Sequence, residues 1–450
     1  MDLPIDYSLR MKELLKDEYD EYINSFNDEP IKAFRVNTAK ISVEDFAKIN
    51  PFKTEKIPYA DYGYYYEYDK IGTHPYHHLG LIYCQEPGAM APIECIDIKP
   101  DWHVLDVCSA PGGKSTQIAN KLNDNGVIVS NEIISSRCKI LVGNIERLGI
   151  KNAVTTCMDT TKLSKLYPNV FNLVVVDAPC SGEGMFRKDE TAIKEWSVEH
   201  VNSCAKRQSI ILENASKTVK NGGYLIYSTC TFSLEENEKV VDEFLSTHPN
   251  FELIKVNEKV LNQTTDGIIF DGAKNKNLNF CRRFYPHKNK GEGQFMALFH
   301  NTVIGENAPI RYKNSEKAPK EVINFLSETL TDFDKGKVIM YNDKPVYFNP
   351  NFPIFDGAHF TVGVTIGEIK KNYILPHHQF FSSLGNKFKN KIELSIDSDE
   401  LKKYLHGEEF ETTTKNGYAV ITVNGVALGG VKVVNGTAKN HYPKGLRTAK

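Results

Sequence analysis

The chain has 450 residues, of which 41% are hydrophobic and 25% are charged, and its mean hydropathy is -0.39, which is typical of about three soluble globular domains. No apolar run approaches the roughly 18 residues that span a bilayer, which excludes a membrane protein, and the net charge of -2 argues against a uniformly basic nucleic-acid-binding protein. Nine cysteines without a Cys-x-x-Cys pair fit neither a disulfide framework nor a usual zinc site, so we expect a cytoplasmic protein without a bound metal.

Residues 1–90 are the first predicted unit, which has a helical start and a mixed character after it. The opening segment MDLPIDYSLRMKELLKDEYDEY has amphipathic helical spacing and acidic residues, where a signal peptide would need a basic head and an apolar centre. The unit also contains the aromatic cluster DYGYYYEY. No carboxylate or cysteine lies at ligand spacing from its histidine cluster, so we predict no metal site at His74, His77 and His78.

Residues 91–302 alternate short aliphatic runs with longer helical patterns, which predicts a parallel sheet covered by helices on both faces. The predicted fold class is therefore α/β, with a Rossmann-like arrangement. Two later runs, CRRFYP and QFMALFH, predict an antiparallel pair at one edge of this sheet. The predicted parallel strands, in chain order, are HVLDV, GVIVS, AVTTCM, FNLVVVDAPC and GYLIYSTC.

A tight loop of small residues joins the first of these strands to its helix. A Walker-type phosphate loop would need glycine where Cys108 stands, so that pattern fails, and a turn without function is the remaining alternative. Carboxylates follow the next three strands, and an acid about twenty residues past such a loop can bind both ribose hydroxyls. Taken singly, each acid is better explained as a cap or turn residue; together, Glu132, Asp159 and Asp177 predict a site for a nucleoside cofactor.

Two cysteines, Cys180 and Cys230, stand where the fourth and fifth strands end. The segment SLEE is typical of a capping box with Ser233 as the cap and Glu236 reaching back, which would put a helix amino end near Cys230 and lower the pKa of its thiol. A buried structural cysteine is the alternative for any one of the nine, and we assign it to Cys138, Cys157 and Cys204.

Two thiols and a carboxylate beside a nucleoside cofactor indicate covalent chemistry on an electron-poor ring. A thiolate that adds to carbon 6 of a pyrimidine makes carbon 5 nucleophilic, so that carbon 5 can take a methyl group from a sulfonium donor. The second thiol could then help to remove the proton from carbon 5. The spacing does not say which cysteine attacks.

The rest of the chain predicts smaller units. Residues 303–320 have the polar, proline-bearing composition of a linker, and residues 321–392 follow as a middle domain. Within residues 393–450, the run GYAVITVNGVALGGVKVVNG alternates apolar residues between Asn-Gly signals, which predicts β-hairpins in a small domain.

The motifs DVCSAPGGKST, VVVDAPCSGEGMFRKD, WSVEHVNSCAKRQSIIL and YSTCTFSLEENE closely resemble the RNA cytosine-5 methyltransferases of the Nop2/Sun (NSUN) family. The bacterial RsmF (YebU) branch is the most similar, since LIYCQEPGAMAP and FRVNT resemble its N-terminal region. The segment VALGGVKVVNGTAKNHYPKGLR is similar to its PUA-like RNA-binding module. The resemblance implies a class I methyltransferase core, an RNA-facing region before it, and a small α+β domain and a PUA-like domain after it.

The resemblance also implies residue roles. Cys230 would be the nucleophile, Cys180 would promote release, and Asp177 would hydrogen-bond the target base. S-adenosyl-L-methionine would be held by Cys108, Ser109, Ala110, Pro111, Gly112, Gly113 and Lys114, together with Glu132, Asp159 and Asp177. The implied substrate is 16S ribosomal RNA, free or in the assembled small subunit, and the enzyme is expected to be a monomer.

Several basic residues are candidate RNA contacts. Arg35 and Asn37 of FRVN could contact phosphate or sugar, with a solvated strand-edge pair as the alternative. Two groups of side chains could form phosphate-facing patches: Lys432, Lys439, Lys444, Arg447 and Lys450, and Arg282, Arg283, Lys288 and Lys290. Two other functions stay open, namely a catalytically silent RNA-binding ribosome assembly factor and a nucleotidase with a degenerate phosphate loop.

Overall fold

The computed structural model describes residues 2–123, 125–307, 316–355, 357–371 and 373–448. Lys450 and residues 308–315 of the predicted linker lie outside the described residues. None of the helices in these ranges combines the length and the apolar character needed to cross a membrane. The described strands form five sheets, and the ten-stranded sheet carries the candidate site.

The N-terminal region combines helices with an antiparallel sheet of four strands, whose spatial order is second, third, first and fourth along the chain. Tyr7 and Tyr22 of the first two helices pack against Phe186 and Phe232, so these helices cover segments that lead into the site. The elements are α1 (Ile5–Leu15), α2 (Tyr19–Asn24), β1 (Ala33–Val36), α3 (Val43–Ile49), β2 (Lys53–Lys56), β3 (Gly63–Glu67), α4 (Pro75–His78) and β4 (Ile82–Cys84).

Arg35 and Asn37 do not face solvent, so their prediction as RNA contacts is wrong. Both are 2% exposed. Arg35 donates to Gln85 Oε1 at 2.6 Å and to the carbonyl of Gly113 at 2.8 Å, while Asn37 Nδ2 donates to the carbonyl of Gly80 at 2.7 Å. A buried guanidinium with this many acceptors is a structural tie between the N-terminal sheet and residues 108–113, which we name the glycine loop.

The core begins with the predicted βα alternation. Its elements are β5 (His103–Asp106), α5 (Gly113–Lys121), β6 (Val127–Asn131), α6 (Ser135–Arg147), β7 (Ala153–Thr156), α7 (Thr160–Leu166), β8 (Phe171–Asp177), α8 (Glu190–Glu195), α9 (Val198–Ser216), β9 (Val219–Thr229), α10 (Glu238–Thr247), β10 (Phe251–Ile254), α11 (Glu258–Leu261), β11 (Thr265–Asp266), β12 (Arg282–Phe284) and β13 (Gln294–Asn301). All five predicted parallel strands are present, and β12, β13 and β9 form the predicted antiparallel edge.

The strand order of this sheet is β11-β12-β13-β9-β8-β5-β6-β7, with β10 paired to β13 on the side. Strands β5 to β9 are parallel, and their aliphatic residues are buried on both faces, as expected when helices cover a parallel sheet. Strands β6 and β7 lie on one side of β5, whereas β8 and β9 lie on its other side, so the strand order reverses between β5 and β8. Ligands of doubly wound sheets bind outside the carboxyl ends of the strands at such a switch point.

The C-terminal part consists of short elements. They are β14 (Glu316–Lys317), α12 (Lys320–Thr329), β15 (Val338–Tyr341), β16 (Lys344–Tyr347), β17 (Thr361–Val362), β18 (Val364–Thr365), β19 (Gly367–Lys370), β20 (Tyr373–Pro376), α13 (His378–Leu384), β21 (Lys391–Glu393), α14 (Asp399–His406), β22 (Phe410–Glu411), β23 (Gly417–Val423), β24 (Val426–Val434) and β25 (Thr437–Asn440). The predicted hairpins are β23-β24 and β24-β25, and both Asn-Gly pairs at their turns have positive φ.

The C-terminal part is joined to the rest of the chain by strand pairing and by side chains. Strand β17 pairs antiparallel with β7, so it adds a further strand to the edge of the core sheet. Lys40 Nζ from the N-terminal region donates to the carbonyl of Ala427 at 3.0 Å, and Asn424 Nδ2 donates to Tyr76 Oη at 3.2 Å. Apolar residues of the N-terminal sheet and of β23 and β24 belong to one hydrophobic cluster.

The predicted patch that contains Arg282 and Arg283 is wrong for both arginines, which are 4% and 1% exposed. Arg283 forms a buried ion pair with Glu238, and the buried Arg282 pairs with Asp266, whose side chain is 67% exposed. Of the other predicted basic residues, Lys288 and Lys290 pair with Glu18 and Glu55. Lys432, Lys439 and Lys444 are exposed and Arg447 is partly buried, and their contact with RNA stays a prediction.

Candidate active site

Cys180 and Cys230 meet at the mouth of the sheet. Strands β8 and β9 are parallel neighbours, and Asp177 and Ser228 occupy the same register position near their carboxyl ends. The chain that leaves each strand carries a half-buried cysteine, and the two Sγ atoms are 3.2 Å apart. The structure therefore brings together the two thiols that the sequence singled out.

Asp177 is held at the end of β8 by two partners. Its Oδ1 accepts a hydrogen bond from Ser228 Oγ at 2.7 Å, and its Oδ2 lies 2.7 Å from Lys114 Nζ. The side chain of Lys114 is 8% exposed, whereas that of Asp177 is 32% exposed. Lys114 thus links the glycine loop to the carboxylate beside the thiols, and the carboxylate keeps one open side for a ligand.

The loop between β5 and α5 is shaped by backbone bonds. Gly112 has a φ of 116°, a conformation that a residue with a side chain rarely adopts, and α5 starts at the next residue. The N–H of Ser109 donates to the carbonyl of Asn131 at 2.8 Å, which ties the loop to the end of β6. Ser115 Oγ donates to Asp106 Oδ2 at 2.7 Å, and burial raises the pKa of Asp106 to about 6.

Glu132 and Asp159 differ in their surroundings. Glu132 is 3% exposed; it accepts a hydrogen bond from the N–H of Ile134 at 3.0 Å and lies 3.3 Å from Arg137. Asp159 is the N-cap of α7, since its carboxylate accepts from the N–H of Lys162 at 3.0 Å, and backbone hydrogen bonds lower its pKa. Asp159 is therefore a helix cap, which is the alternative that the sequence allowed for each acid taken singly.

The residues at the carboxyl ends of β5 and β6 fit a nucleoside cofactor. The fixed carboxylate of Glu132 is an acceptor suited to ribose hydroxyls, and the glycine loop approaches it through the Ser109 bond to Asn131. Ile133 and Ile134 beside it are 63% and 48% exposed, which leaves an apolar surface that a flat base can cover. The pKa of Cys108 is raised by burial and by nearby carboxylates, so this thiol stays protonated and does not compete as a nucleophile.

The predicted capping box is wrong. Helix α10 begins at Glu238, eight residues after Cys230, and Ser233 makes no cap hydrogen bond to it. Ser233 Oγ donates instead to Glu235 Oε2 at 2.8 Å. Glu236 turns inward and accepts from the N–H of Ser181 at 3.0 Å, so it belongs to the surroundings of Cys180. No helix amino end in the described chain therefore lies directly after Cys230 to lower the pKa of its thiol.

The segments that carry the two cysteines are bonded to each other. We name residues 178–184 the Cys180 loop and residues 230–237 the Cys230 loop. Ser181 Oγ and Thr231 Oγ1 are 2.9 Å apart, and the N–H of Gly184 donates to the carbonyl of Cys230 at 2.8 Å. Glu183 Oε2 accepts from the N–H of Phe232 at 2.8 Å. These bonds hold the two thiols in a fixed relation, which sequence reasoning did not predict because it depends on pairs about fifty residues apart.

Three models of known protein families match this chain. The family model described as 16S rRNA methyltransferase RsmB/F matches residues 93–300. A model of the N-terminal domain of 16S rRNA methyltransferase RsmF matches residues 3–87, and a model of the methyltransferase RsmF PUA domain matches residues 389–448. All of residues 301–388 lie outside the three matches.

Curated relatives match over nearly the whole chain. Ribosomal RNA small subunit methyltransferase F from Vibrio vulnificus is 31% identical, and the match covers 99% of this chain and 97% of the relative. The protein of the same name from Klebsiella pneumoniae is 30% identical, with 95% and 92% covered.

Solved structures share the fold. A methyltransferase homologue from Pyrococcus horikoshii is 28% identical with a TM-score of 0.58 and covers 66% of this chain and 94% of its own. NSun6 from Pyrococcus horikoshii, solved with SFG, has a TM-score of 0.57 at 23% identity and covers 67% and 99%. With its thiol pair, its glycine loop and relatives that match it from end to end, the chain belongs to the RsmB/F family of 16S rRNA methyltransferases.

Proposed function

We propose that this protein methylates carbon 5 of cytidine in 16S ribosomal RNA, with Cys230 as the nucleophile and Cys180 as the group that releases the product. The observation that carries the assignment is the 3.2 Å contact between the two sulfur atoms at the ends of adjacent parallel strands. S-adenosyl-L-methionine, bound at the glycine loop and Glu132, supplies an activated methyl group. The finer assignments of a monomer in the cytoplasm, and of the assembled small subunit as a possible substrate, are part of the same proposal.

The surroundings of Cys180 favour Cys230 as the attacking sulfur. The pKa of Cys180 is raised by its hydrogen bond to Cys230, by burial, and by the negative charges of Cys230 and Glu236. Either thiol could donate in the sulfur contact; because a thiol whose pKa is raised keeps its proton, we propose that Cys180 is the donor. A thiolate is the nucleophilic form of cysteine, so a Cys180 that keeps its proton supports Cys230 as the attacking sulfur.

The contact between the two sulfur atoms also links the deprotonation of Cys180 to the attack by Cys230. When Cys230 Sγ bonds to carbon 6 of the cytosine, it loses its negative charge and most of its ability to accept a hydrogen bond. Two of the causes that raise the pKa of Cys180 then disappear, while burial and the charge of Glu236 remain. The pKa of Cys180 is therefore lowered by adduct formation, and we propose that Cys180 loses its proton to solvent at this stage.

After carbon 5 has taken the methyl group, the Cys180 thiolate removes the proton from carbon 5. The bond between carbon 6 and Cys230 then breaks, and its electron pair returns to Cys230 as thiolate. The pair is left with one proton, on Cys180, as it started. Each turnover releases one proton, which balances the positive charge that the sulfonium donor loses.

The two alternative functions are not favoured. A nucleotidase would need Lys114 free for phosphate, but Lys114 Nζ lies 2.7 Å from Asp177 Oδ2, and Cys108 stands where a phosphate loop needs glycine. A silent assembly factor would have no need for two thiols held 3.2 Å apart by loop-to-loop hydrogen bonds.

The test uses full-length protein, methyl donor and 16S ribosomal RNA. Cys180→Ala is expected to accumulate a protein–RNA adduct that survives denaturing electrophoresis, because attack and methyl transfer remain while release is lost. Cys230→Ser is expected to form no adduct and to transfer no methyl group. Bisulfite sequencing of ribosomal RNA from a deletion strain identifies the modified cytidine.

Two outcomes contradict the proposal in different ways. An exchange of behaviour between the two variants would overturn the roles of the cysteines while leaving the chemistry. Methylation of a purine or of a ribose oxygen by the parent protein would overturn the chemistry itself.

A further inference from the structure

The peptide groups on both sides of Cys180 are held by one pair of buried side chains. Glu236 Oε2 accepts from the N–H of Ser181 at 3.0 Å and from Gln208 Nε2 at 2.7 Å. The same Gln208 Nε2 donates to the carbonyl of Pro179 at 3.0 Å. Glu236 and Gln208 are both 0% exposed, so water does not compete for these bonds. Cys180 therefore sits on a backbone segment that is fixed from the side of the Cys230 loop.

The next residue in the chain does the same for the other thiol. Asn237 Oδ1 accepts from Thr229 Oγ1 at 2.6 Å, and Asn237 Nδ2 donates to the carbonyl of Thr231 at 2.9 Å. Thr229 and Thr231 flank Cys230, and Asn237 is 0% exposed. Two consecutive residues, Glu236 and Asn237, thus each bond to the neighbours of a different cysteine.

We propose that Glu236 and Asn237 are positioning residues that act on separate steps, Glu236 on product release through Cys180 and Asn237 on adduct formation through Cys230. Neither side chain bonds to a sulfur atom in the hydrogen bonds of the described chain, so each holds its thiol through the backbone or threonine beside it. Glu236 also acts on Cys180 through its charge, which Glu236→Gln removes while it keeps an acceptor oxygen. This inference rests on the proposed thiol chemistry and adds a division of labour that the chemistry does not require.

The pair of positioning residues is itself anchored. Tyr227 Oη, from β9, donates to the main-chain carbonyl of Glu236 at 2.5 Å, which fixes the turn that carries both side chains. Reacting groups must be held within a few tenths of an ångström to keep their advantage over free reactants, and misplacement by about 1 Å can cost about 100-fold in rate. A loss of either set of bonds should therefore be visible in the step that its cysteine performs.

The test follows adduct formation and adduct decay in single-turnover reactions with denaturing electrophoresis. For Glu236→Ala we expect adduct formation within about threefold of the parent rate and decay that is at least about tenfold slower. For Asn237→Ala we expect formation at least about tenfold slower, with any adduct decaying at the parent rate. Equal effects of the two variants on both steps would overturn the proposal, as would unchanged kinetics in both.

Conservative variants and a control separate positioning from general destabilisation. Glu236→Gln keeps an oxygen for both donors, and Glu236 Oε1 has no hydrogen-bond partner among the described residues, so this variant should restore decay to within about threefold of the parent. Asp242 is also buried and lies on α10, and its carboxylate accepts from the N–H of Asn275 at 2.8 Å, so this bond reaches a segment outside both cysteine loops. Asp242→Ala should lower stability without changing the ratio of the rates of adduct formation and adduct decay. If Asp242→Ala slowed one of these steps selectively, as expected for Glu236→Ala or Asn237→Ala, the inference would be refuted.

Two further variants keep the test decisive if an alanine variant does not fold. Gln208→Leu removes the donor to Pro179 and carries the expectation of slow decay, and Asn237→Asp keeps the acceptor for Thr229 but loses the donor to Thr231. The Cys180→Ala variant separates a failure of the proposed function from a failure of the positioning inference. If it traps no adduct, the proposed function fails; if it traps one but the Glu236 and Asn237 variants do not differ, only the positioning inference fails.

Discussion

Replacing Arg283 with methionine should destabilise the methyltransferase core by about 3–5 kcal/mol, because it leaves the carboxylate of Glu238 buried without its cation. Arg283 is 1% exposed and Glu238 is 0% exposed; Nε donates to Oε1 at 2.6 Å and Nη2 bonds to Oε2. The double variant Arg283→Met/Glu238→Leu leaves no unpaired charge. Glu238 Oε1 also accepts from the N–H of Ile268 at 2.9 Å, and the double variant leaves that N–H without an acceptor. The double variant should therefore lose only about 1–3 kcal/mol of unfolding free energy.

Urea unfolding followed by tryptophan fluorescence measures this effect in the right domain. The chain has 2 tryptophans, and both Trp102 and Trp196 lie in the core and are buried, at 9% and 6% exposed. The single variant should therefore unfold at clearly lower urea than the double variant. The reasoning is refuted if Arg283→Met leaves the transition unchanged and instead weakens RNA binding, with a salt dependence reduced by about one phosphate contact.

Two other predictions concern close packing and pH. A Cβ at Gly184 would lie 2.8 Å from the backbone of Gly293 and 2.9 Å from the carbonyl of Cys230, so Gly184→Ala should slow adduct formation at least about tenfold, whereas Gly143→Ala, in a helix with open space, should not. Burial lowers the pKa of His378 from 6.5 to about 3, so the stability it contributes is complete above pH 6.5 and is lost as the pH falls below 6.5. Urea unfolding followed by circular dichroism at pH 7, 6 and 5 gives the change of unfolding free energy with pH. His378→Gln should reduce this dependence by about 1.4 kcal/mol per pH unit, and an equal dependence in the parent and the variant would contradict this.

The parallel core and the C-terminal hairpins were predictable because their signals are local. Each parallel strand is a short aliphatic run that ends in a loop of small or acidic residues, and Asn424 and Asn435 precede glycines in turns where positive φ is needed. Strand β17 was not predictable, because two residues form it and its pairing partner lies about two hundred residues away. The shared cluster of the N-terminal sheet with β23 and β24 is equally non-local.

The thiols were predictable from their place at strand ends, but their support was not. The segment after Cys230 matched a helix cap in its local pattern, while the structure uses Glu236 to hold the Cys180 loop. Arginines were misjudged for the same physical reason. In a sequence, Arg35 and Arg283 look like any exposed cation, because the acceptors that bury them come from other segments.

The pairing of β17 with β7, together with the bond from Lys40 to Ala427, has a consequence for how a long substrate is chosen. Strand β17 joins the C-terminal part to the core sheet, and Lys40 joins that part to the N-terminal region, so we expect its exposed lysines to keep a set distance from the thiols. An RNA bound at these lysines would present to the two cysteines only the nucleotides at that distance. The protein would then select its target by the spacing between the two sites.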